Sequence, residues 1–295
     1  LLRTMGNLKE VRTRIASISS NQKITSAMKM VSAAKFRRAQ NAILTMRPYS
    51  EKLSEIINNI DVADGLDTPY HQVRKAEKVL LVVIASNKGL CGAFNSNVIK
   101  EANRRIEYYL ETDKNITLNM ITIGKRTTEF FSKRTPYVSE SFIEILDKPS
   151  FDSISEIAEM IMKRFCEKEY DRVELIYNRF KNSLTQIVST EQFLPIATNV
   201  EGKTQTNIQS DYIFEPDKKS ILREMIPLSL RSQFYRVLLD SLASEHGARM
   251  TAMQKATDNA TELLKELKLT YNKARQTSIT NEIIEIVSGA EALNG

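Results

Sequence analysis

NLKEVRTRIASISSNQKITSAMKMVSAAKFRRAQNAILTMR, Asn7 to Arg47, contains neither Gly nor Pro. It is rich in Ala, Met, Lys, Arg and Gln, the residues a helix accommodates at least cost. Read as one helix of about 40 residues it is about 60 Å long at 1.5 Å per residue. Its apolar positions step Leu8, Val11, Ile15, Ile18 in a coiled-coil rhythm. They are expected to resume as Ile24, Met28 and Val31 after a polar interruption at Gln22 and Thr25, a break that would loosen a supercoil locally. A helix this long needs a partner along much of its length.

The other end of the chain supplies one. From Leu228 to Val287 there is no Pro, and Gly247 is the single residue that weakens a helix. Met253, Ala256, Ala260, Leu263, Leu267, Tyr271 and Ala274 recur three and four apart, the same seam spacing. The final stretch, ITNEIIEIVSGAEAL from Ile279 to Leu293, carries Ile279, Ile283, Ile286 and Val287 and then turns to small residues.

The charge is unevenly distributed. Leu1 to Ser50 holds ten Lys or Arg against Glu10 alone, about +9, whereas the whole chain carries +6 and the remainder is therefore about −3. From Met225 to Gly295 eight basic residues face eight acidic ones, so the second helix can lie beside the basic one without like-charge repulsion. Positive charge concentrated on one element points to an acidic partner.

Between the helices the pattern changes. VLLVVIA (Val79 to Ala85), Ile116 to Gly124 and Arg172 to Phe180 read as strands, with QIVSTEQFLPI following after a short connection. Asn95 to Leu110, Arg126 to Lys133 and Ser153 to Glu167 read as helices. Strands alternating with helices predict a mixed or parallel sheet covered on both faces. The expected fold class is α/β, with a Rossmann-like domain at 76–217 inserted between coiled-coil helices at 1–60 and 218–295.

Composition narrows the function. At 295 residues, 42% apolar and 26% charged, the chain is ordinary globular protein. The longest apolar run, Val79 to Ala85, is far short of the roughly 20 residues a membrane span needs. Cys91 and Cys166 match no metal motif and form no disulfide framework. LLRTMGNLKE lacks the apolar core of a secretory signal, and Glu10 sits where a myristoylation signal from Gly6 wants Ser or Thr. The loop SNKGLCGAFN, Ser86 to Asn95, follows a strand and precedes a helix, where phosphate loops sit. It lacks the third glycine of G-x-G-x-x-G and the G-K-[ST] of a P-loop, which favours a plain tight turn. Neither His71 nor His246 belongs to a sequence motif for a triad or a metal site. No catalytic, cofactor-binding or metal-ligating residues emerge, and a nucleic-acid-binding coiled coil is the alternative that the basic helix leaves open.

QKITSAMKMVSAAKFRRAQ (Gln22 to Gln40), GLCGAFNSN (Gly89 to Asn97), DYIFEPD (Asp211 to Asp217) and YNKARQTSITNEIIEIVSGAEAL (Tyr271 to Leu293) resemble the gamma subunit of the F-type rotary ATP synthase. The likeness spans nearly the whole chain. It implies an antiparallel, left-handed coiled coil of the two ends with a Rossmann-like domain at one end. The implied role is a non-catalytic rotor shaft, coupling proton flow through the membrane ring to the beta-subunit sites. The implied partners are three alpha and three beta subunits, epsilon and the c-ring, with no nucleic acid and only indirect membrane contact. Position by position, Lys29, Lys35, Arg37 and Arg38 would face acidic segments of beta. Arg275 and Gln276 would grip a beta loop, and Met28 would lie opposite Arg249, Gln276, Thr280 and Glu282 in a coupling cluster. Tyr212 would sit at the base near epsilon and the c-ring. Two departures stand out: Gly247 replaces the usual Ala, and SNKGLCG replaces a form with Asp and Arg. The chloroplast type's regulatory cysteine insertion is absent. The implied location is the cytoplasmic face of a plasma (inner) membrane, bacterial rather than organellar.

Overall fold

The structure, a computed structural model, describes residues 2–64, 68–113, 115–182, 185–196 and 218–294. Two helices dominate it, α1 at Leu2–Asp64 and α5 at Lys218–Asn294. Each carries one internal proline, Pro48 and Pro227, which removes an i→i−4 bond without ending the helix. Packing on either side carries α1 past the gap, since Ile43 and Leu53 are both buried. The chain divides into two compact units, Leu1–Ser32 with Met250–Gly295, and Ala33–Arg249.

The first unit is a pair of helical segments. Gln22 Nε2 donates to Thr261 Oγ1 at 2.7 Å and Thr25 shares a hydroxyl hydrogen bond with Thr257 at 2.8 Å. As the number rises in one segment it falls in the other, so the segments run antiparallel. On the first, Leu8, Val11, Ile15, Ile18, Gln22, Thr25, Lys29 and Ser32 are at least partly buried, an unbroken three-four alternation. On the second, Met253, Thr257, Ala260, Leu264, Leu267, Tyr271, Ala274 and Ser278 follow the same rule. The expected interruption at Gln22 and Thr25 is therefore chemical and not geometric. Those polar groups stay in the seam because Thr257 and Thr261 satisfy them, and it is Ile24 and Val31 that face solvent, 56% and 58% exposed.

The second unit is built on a five-stranded sheet of β1 (Lys78–Ile84), β2 (Thr117–Ile123), β3 (Val138–Phe142), β4 (Arg172–Phe180) and β5 (Gln186–Leu194). Its order is β3-β2-β1-β4-β5, parallel except for the β4–β5 pair. Alternation along β1 divides the core. Val79, Leu81 and Val83 pack under α2 (Phe94–Thr112) and α3 (Lys125–Phe131), where Val98, Ala102 and Ile106 form the stripe of α2. Leu80, Val82 and Ile84 pack under α4 (Phe151–Cys166) and the inner part of α5, represented by Leu222, Ile226, Leu230 and Phe234. The sheet is covered on both faces, as the strand runs predicted.

Polar anchors fasten these layers. On β5, Glu191 accepts from Arg236 and Gln233 of α5 and from Tyr177 of β4. Opposite α2, the buried Glu174 of β4 accepts from Arg105 Nε, Tyr109 and Arg172 at 2.9, 2.6 and 2.9 Å. The segment of α1 in this unit lies on α5 through Phe36, Ala39, Ile43, Leu239 and Ala243. Gly124, at φ 104, closes the β2–α3 turn: a Cβ there would stand 2.2 Å from the Ala85 carbonyl oxygen.

Candidate functional site

Two places in the molecule gather the residues singled out by sequence. The first is the helical pair and its end. Counting by turns from the Gln22–Thr261 bond, Leu8 lies at about the level of Arg275, so the seam closes near Ser278. Beyond it, 279–290 of α5 are all exposed, including Ile279, Ile283, Ile284, Ile286 and Val287. Gly289 has nothing within 4 Å of an added Cβ. This end of α5 is a bare helix with an apolar flank and a small-residue tip.

The candidate contacts distribute unevenly. Arg275, Gln276, Thr280 and Glu282 are exposed on α5, and Lys35, Arg37 and Arg38 are exposed on α1. Thr280 Oγ1 donates to the Gln276 carbonyl, and Ser278 Oγ donates to Glu282 Oε1 at 3.3 Å. Met28 and Lys29 are half-buried, and Lys29 occupies a seam position. The expected cluster is split between units, with Met28, Gln276, Thr280 and Glu282 in the helical pair and Arg249 in the α/β unit. Tyr212 lies outside the described residues.

The second place is the crevice beyond the carboxyl ends of β1 and β4, where the strand order reverses and doubly wound sheets bind ligands. Here the loop Ser86–Asn95 meets α5. Arg249, 7% exposed, donates from Nε to the Gly89 carbonyl at 3.2 Å and from Nη2 to the Lys88 carbonyl at 3.0 Å. Its Nη1 reaches Glu245 at 2.7 Å, and Ala248 packs on Cys91 and Phe94. The loop's own donors are spent locally: Ser86 N and Oγ donate to Asn95 Oδ1, and Ser86 Oγ is 2.6 Å from the Lys88 carbonyl oxygen. A phosphate cradle turns peptide N–H groups outward; this loop turns carbonyls toward a guanidinium. Gly247, met as a departure in the sequence, is buried on this part of α5.

Two titratable groups beside Arg249 are displaced. Burial pushes the Glu245 carboxyl up, against the pull of Arg249. Burial, then Arg249 and Lys35, lowers His246 to about 4. Its Nδ1 lies 3.3 Å from Arg249 Nη1, and because a guanidinium only donates, Nδ1 accepts and the ring is neutral. A histidine held neutral contributes stability that is complete above its unfolded pKa, near 6.5, and is lost as pH falls toward 4. His246→Asn is expected to flatten this part of the stability-versus-pH curve by about 1 kcal/mol per pH unit. Urea titrations at pH 4.5, 5.5 and 7 check it, and an unchanged slope would count against the neutral ring.

Sequence reasoning missed Leu90. It stands at φ 61 and is 62% exposed at the rim of a cleft of about 510 Å³. The cleft is lined by Ile99 and Phe130 with Arg126, Lys133 and Arg134 around them. The only sequence signal was the pair of glycines that flank it, Gly89 and Gly92. Among the described residues no group of three or more His, Cys, Asp or Glu could hold a metal ion, and no helix is long and apolar enough to cross a membrane.

Comparison with known proteins adds the final observation. The family model described as ATP synthase matches residues 7–293. The ATP synthase gamma chain of Flavobacterium johnsoniae is 54% identical over 294 residues, covering 99% of this chain and 100% of that one. The gamma chain of Cytophaga hutchinsonii is 51% identical, covering 98% and 100%. Among solved structures, a chain of the central stalk and c-ring of Tetrahymena thermophila mitochondrial ATP synthase is similar, with TM-score 0.59 and 27% identity over 79% of this chain and 99% of that one. A chain of the Euglena gracilis mitochondrial complex shares the fold, with TM-score 0.67 at 21% identity over 98% and 95%.

Proposed function

The chain belongs to the family of ATP synthase gamma chains, and on that premise we propose that it is the non-catalytic rotor shaft of an F-type ATP synthase. It couples proton flow through the membrane ring to ATP synthesis and hydrolysis at sites on beta subunits. The observation that carries this reading is the bare end of α5, a lone apolar helix projecting past an antiparallel seam. A tip that turns inside a ring needs contacts of similar strength at every angle, which apolar contact supplies and oriented hydrogen bonds do not.

Torque then follows from linkage. Each beta subunit has open and closed states, and an uneven shaft contacts them with different free energies, so nucleotide occupancy and shaft angle bias one another. The segments 1–60 and 218–295 act as the shaft and 76–217 as its base. Exposed Lys35, Arg37 and Arg38, with the partly covered Lys29, face acidic segments of beta. Arg275 and Gln276 grip a beta loop. Met28 and Arg249, with Thr280 and Glu282, tune coupling, and Tyr212 belongs to the base near epsilon and the c-ring. The working location is the cytoplasmic face of a bacterial plasma membrane, reached only through the complex.

Stoichiometric co-purification with three alpha and three beta chains is expected. Retention on DNA with a steep salt dependence, without those chains, would favour the nucleic-acid alternative. Met28 is half-buried beside the seam, so Met28→Lys can place its ammonium toward water and the helical pair is expected to stay folded. The variant is expected to lower ions moved per ATP hydrolysed by more than it lowers the melting temperature. Equal pumping per ATP in variant and parent would remove Met28 from the coupling cluster.

A further inference from the structure

The cleft between α2 and α3, about 510 Å³, falls within the roughly 300–1,000 Å³ of small-molecule sites. Local helix geometry builds it. Arg126 and Phe130, four residues apart on α3, share a face, and the turn that ends α3 adds Lys133 and Arg134 to the lining. Helix α2 contributes Asn95, Ser96 and Ile99 from its first turns. It has neither a capping side chain nor an acid in its first turn, so its leading amides are left without intrahelical acceptors. The adjoining loop adds little negative polarity. Its Lys88 and Gly89 carbonyls go to Arg249, which does not line the cleft, and its Cys91 carbonyl accepts from Phe94 N. At Gly92, φ 60, an added Cβ would meet nothing within 4 Å, so the backbone there is open to close approach.

We propose that this cleft binds a nucleoside di- or triphosphate. The inference goes beyond the rotor reading and does not depend on it, since every group involved belongs to the α/β unit. Charge selects the anion. Arg126, Lys133 and Arg134 line the cleft against one acid, Glu129, which lies 3.6 Å from Arg126 and 3.8 Å from Lys125. Among the described residues no ion pair engages Lys133 or Arg134. Arg134 is already oriented: its guanidinium carbon stands 4.0 Å from the centroid of the Phe130 ring, which holds the plane by stacking and leaves its N–H edge for phosphate oxygens. A cation held this way loses less side-chain entropy on binding. Shape selects the nucleoside. Leu90, Ile99 and Phe130 supply apolar surface beside the cations, which a bare phosphate or pyrophosphate would leave in water. A flat heteroaromatic base covers such surface and stacks on a guanidinium as well.

The test is calorimetric titration of the full chain, in physiological salt and without magnesium, with adenosine diphosphate, pyrophosphate and adenosine. The parent is expected to bind the diphosphate at least about tenfold more tightly than either of the other probes, because each of them lacks one half of the contacts. The exposed side chains of Lys133 and Arg134 let K133Q/R134Q keep the parent's melting temperature, and this variant is expected to bind the diphosphate about tenfold more weakly or worse. R12Q/R14Q removes the same charge from the exposed face of α1 and is expected to stay within about twofold of the parent. Bound diphosphate is expected to slow amide exchange at 94–97 and 126–134. No saturable binding by the parent, pyrophosphate binding as tightly as the diphosphate, or equal weakening by K133Q/R134Q and R12Q/R14Q would overturn the proposal. If K133Q/R134Q melts early, R126Q and the exchange map decide it: unchanged binding by R126Q with unchanged exchange at the cleft would overturn it equally. The rotor reading is tested separately, by assembly with alpha and beta chains, and its failure would leave this result standing.

Discussion

Arg105→Met is expected to cost the α/β unit about 3–5 kcal/mol, the usual penalty for stranding one partner of a buried ion pair. Glu174, the third residue of β4, is 1% exposed, so its carboxylate cannot turn to water. Arg105 supplies it with a guanidinium from α2, and Tyr109, one turn further along, supplies a hydroxyl whose own ionisation is pushed up by burial and by Glu174. Arg172 remains after the substitution, but its 2.9 Å bond leaves the other oxygen short of a charged partner. Removing both charges should be gentler than removing one, so Arg105→Met with Glu174→Gln is expected to recover at least about 1 kcal/mol of the loss. Urea unfolding followed by far-ultraviolet circular dichroism separates these cases. A single variant within about 1 kcal/mol of the parent would show that the pair is solvated and contributes little.

Phe234→Ala is expected to have an effect of the same size, about 3–5 kcal/mol, because it opens a cavity where α5 meets the sheet. Phe234 is fully buried, with its ring centroid 5.6 Å from that of Phe193 on β5. The contact has a mechanical role in the account. A helix that carries torque must be fastened to the sheet it turns with, and the apolar fastening around Phe234 is backed by Arg236 and Gln233 on Glu191. Phe234→Leu should retain most of the stability, losing under about 1.5 kcal/mol. Amide exchange in 222–243 should accelerate in the Ala variant before the helical pair is affected. Equal protection in variant and parent would place the fastening elsewhere.

The sequence patterns that survived into the structure are those with strong apolar repetition. Val79 to Ala85 and Arg172 to Phe180 announced central strands because both of their faces are buried. Val138–Phe142 did not: VSESF is an edge strand half open to water, with no apolar run to mark it. The seam misled in the opposite way. Its spacing continues through Gln22 and Thr25, but their partners Thr257 and Thr261 stand more than 200 residues away in sequence. In sequence, polar positions look like a gap and the apolar Ile24 and Val31 look like its continuation, although both are exposed. The bonds between Arg249 and the carbonyls of Lys88 and Gly89 were illegible for a related reason, since backbone acceptors carry no residue signature.

A rotor shaft of this kind requires the two ends of the chain to pair and turn together. Thr25 and Thr257 touch through their hydroxyls at 2.8 Å, so cysteines at both positions bring their sulfurs within bonding reach. With the exposed Cys166 changed to Ser, oxidising the Thr25→Cys/Thr257→Cys variant in the assembled complex is the direct measurement. The expected result is a crosslink within one chain, together with ATP-driven ion uptake equal to that of the reduced complex. No intrachain crosslink, or a crosslink that abolishes coupled uptake, would contradict a shaft built from both ends of this polypeptide.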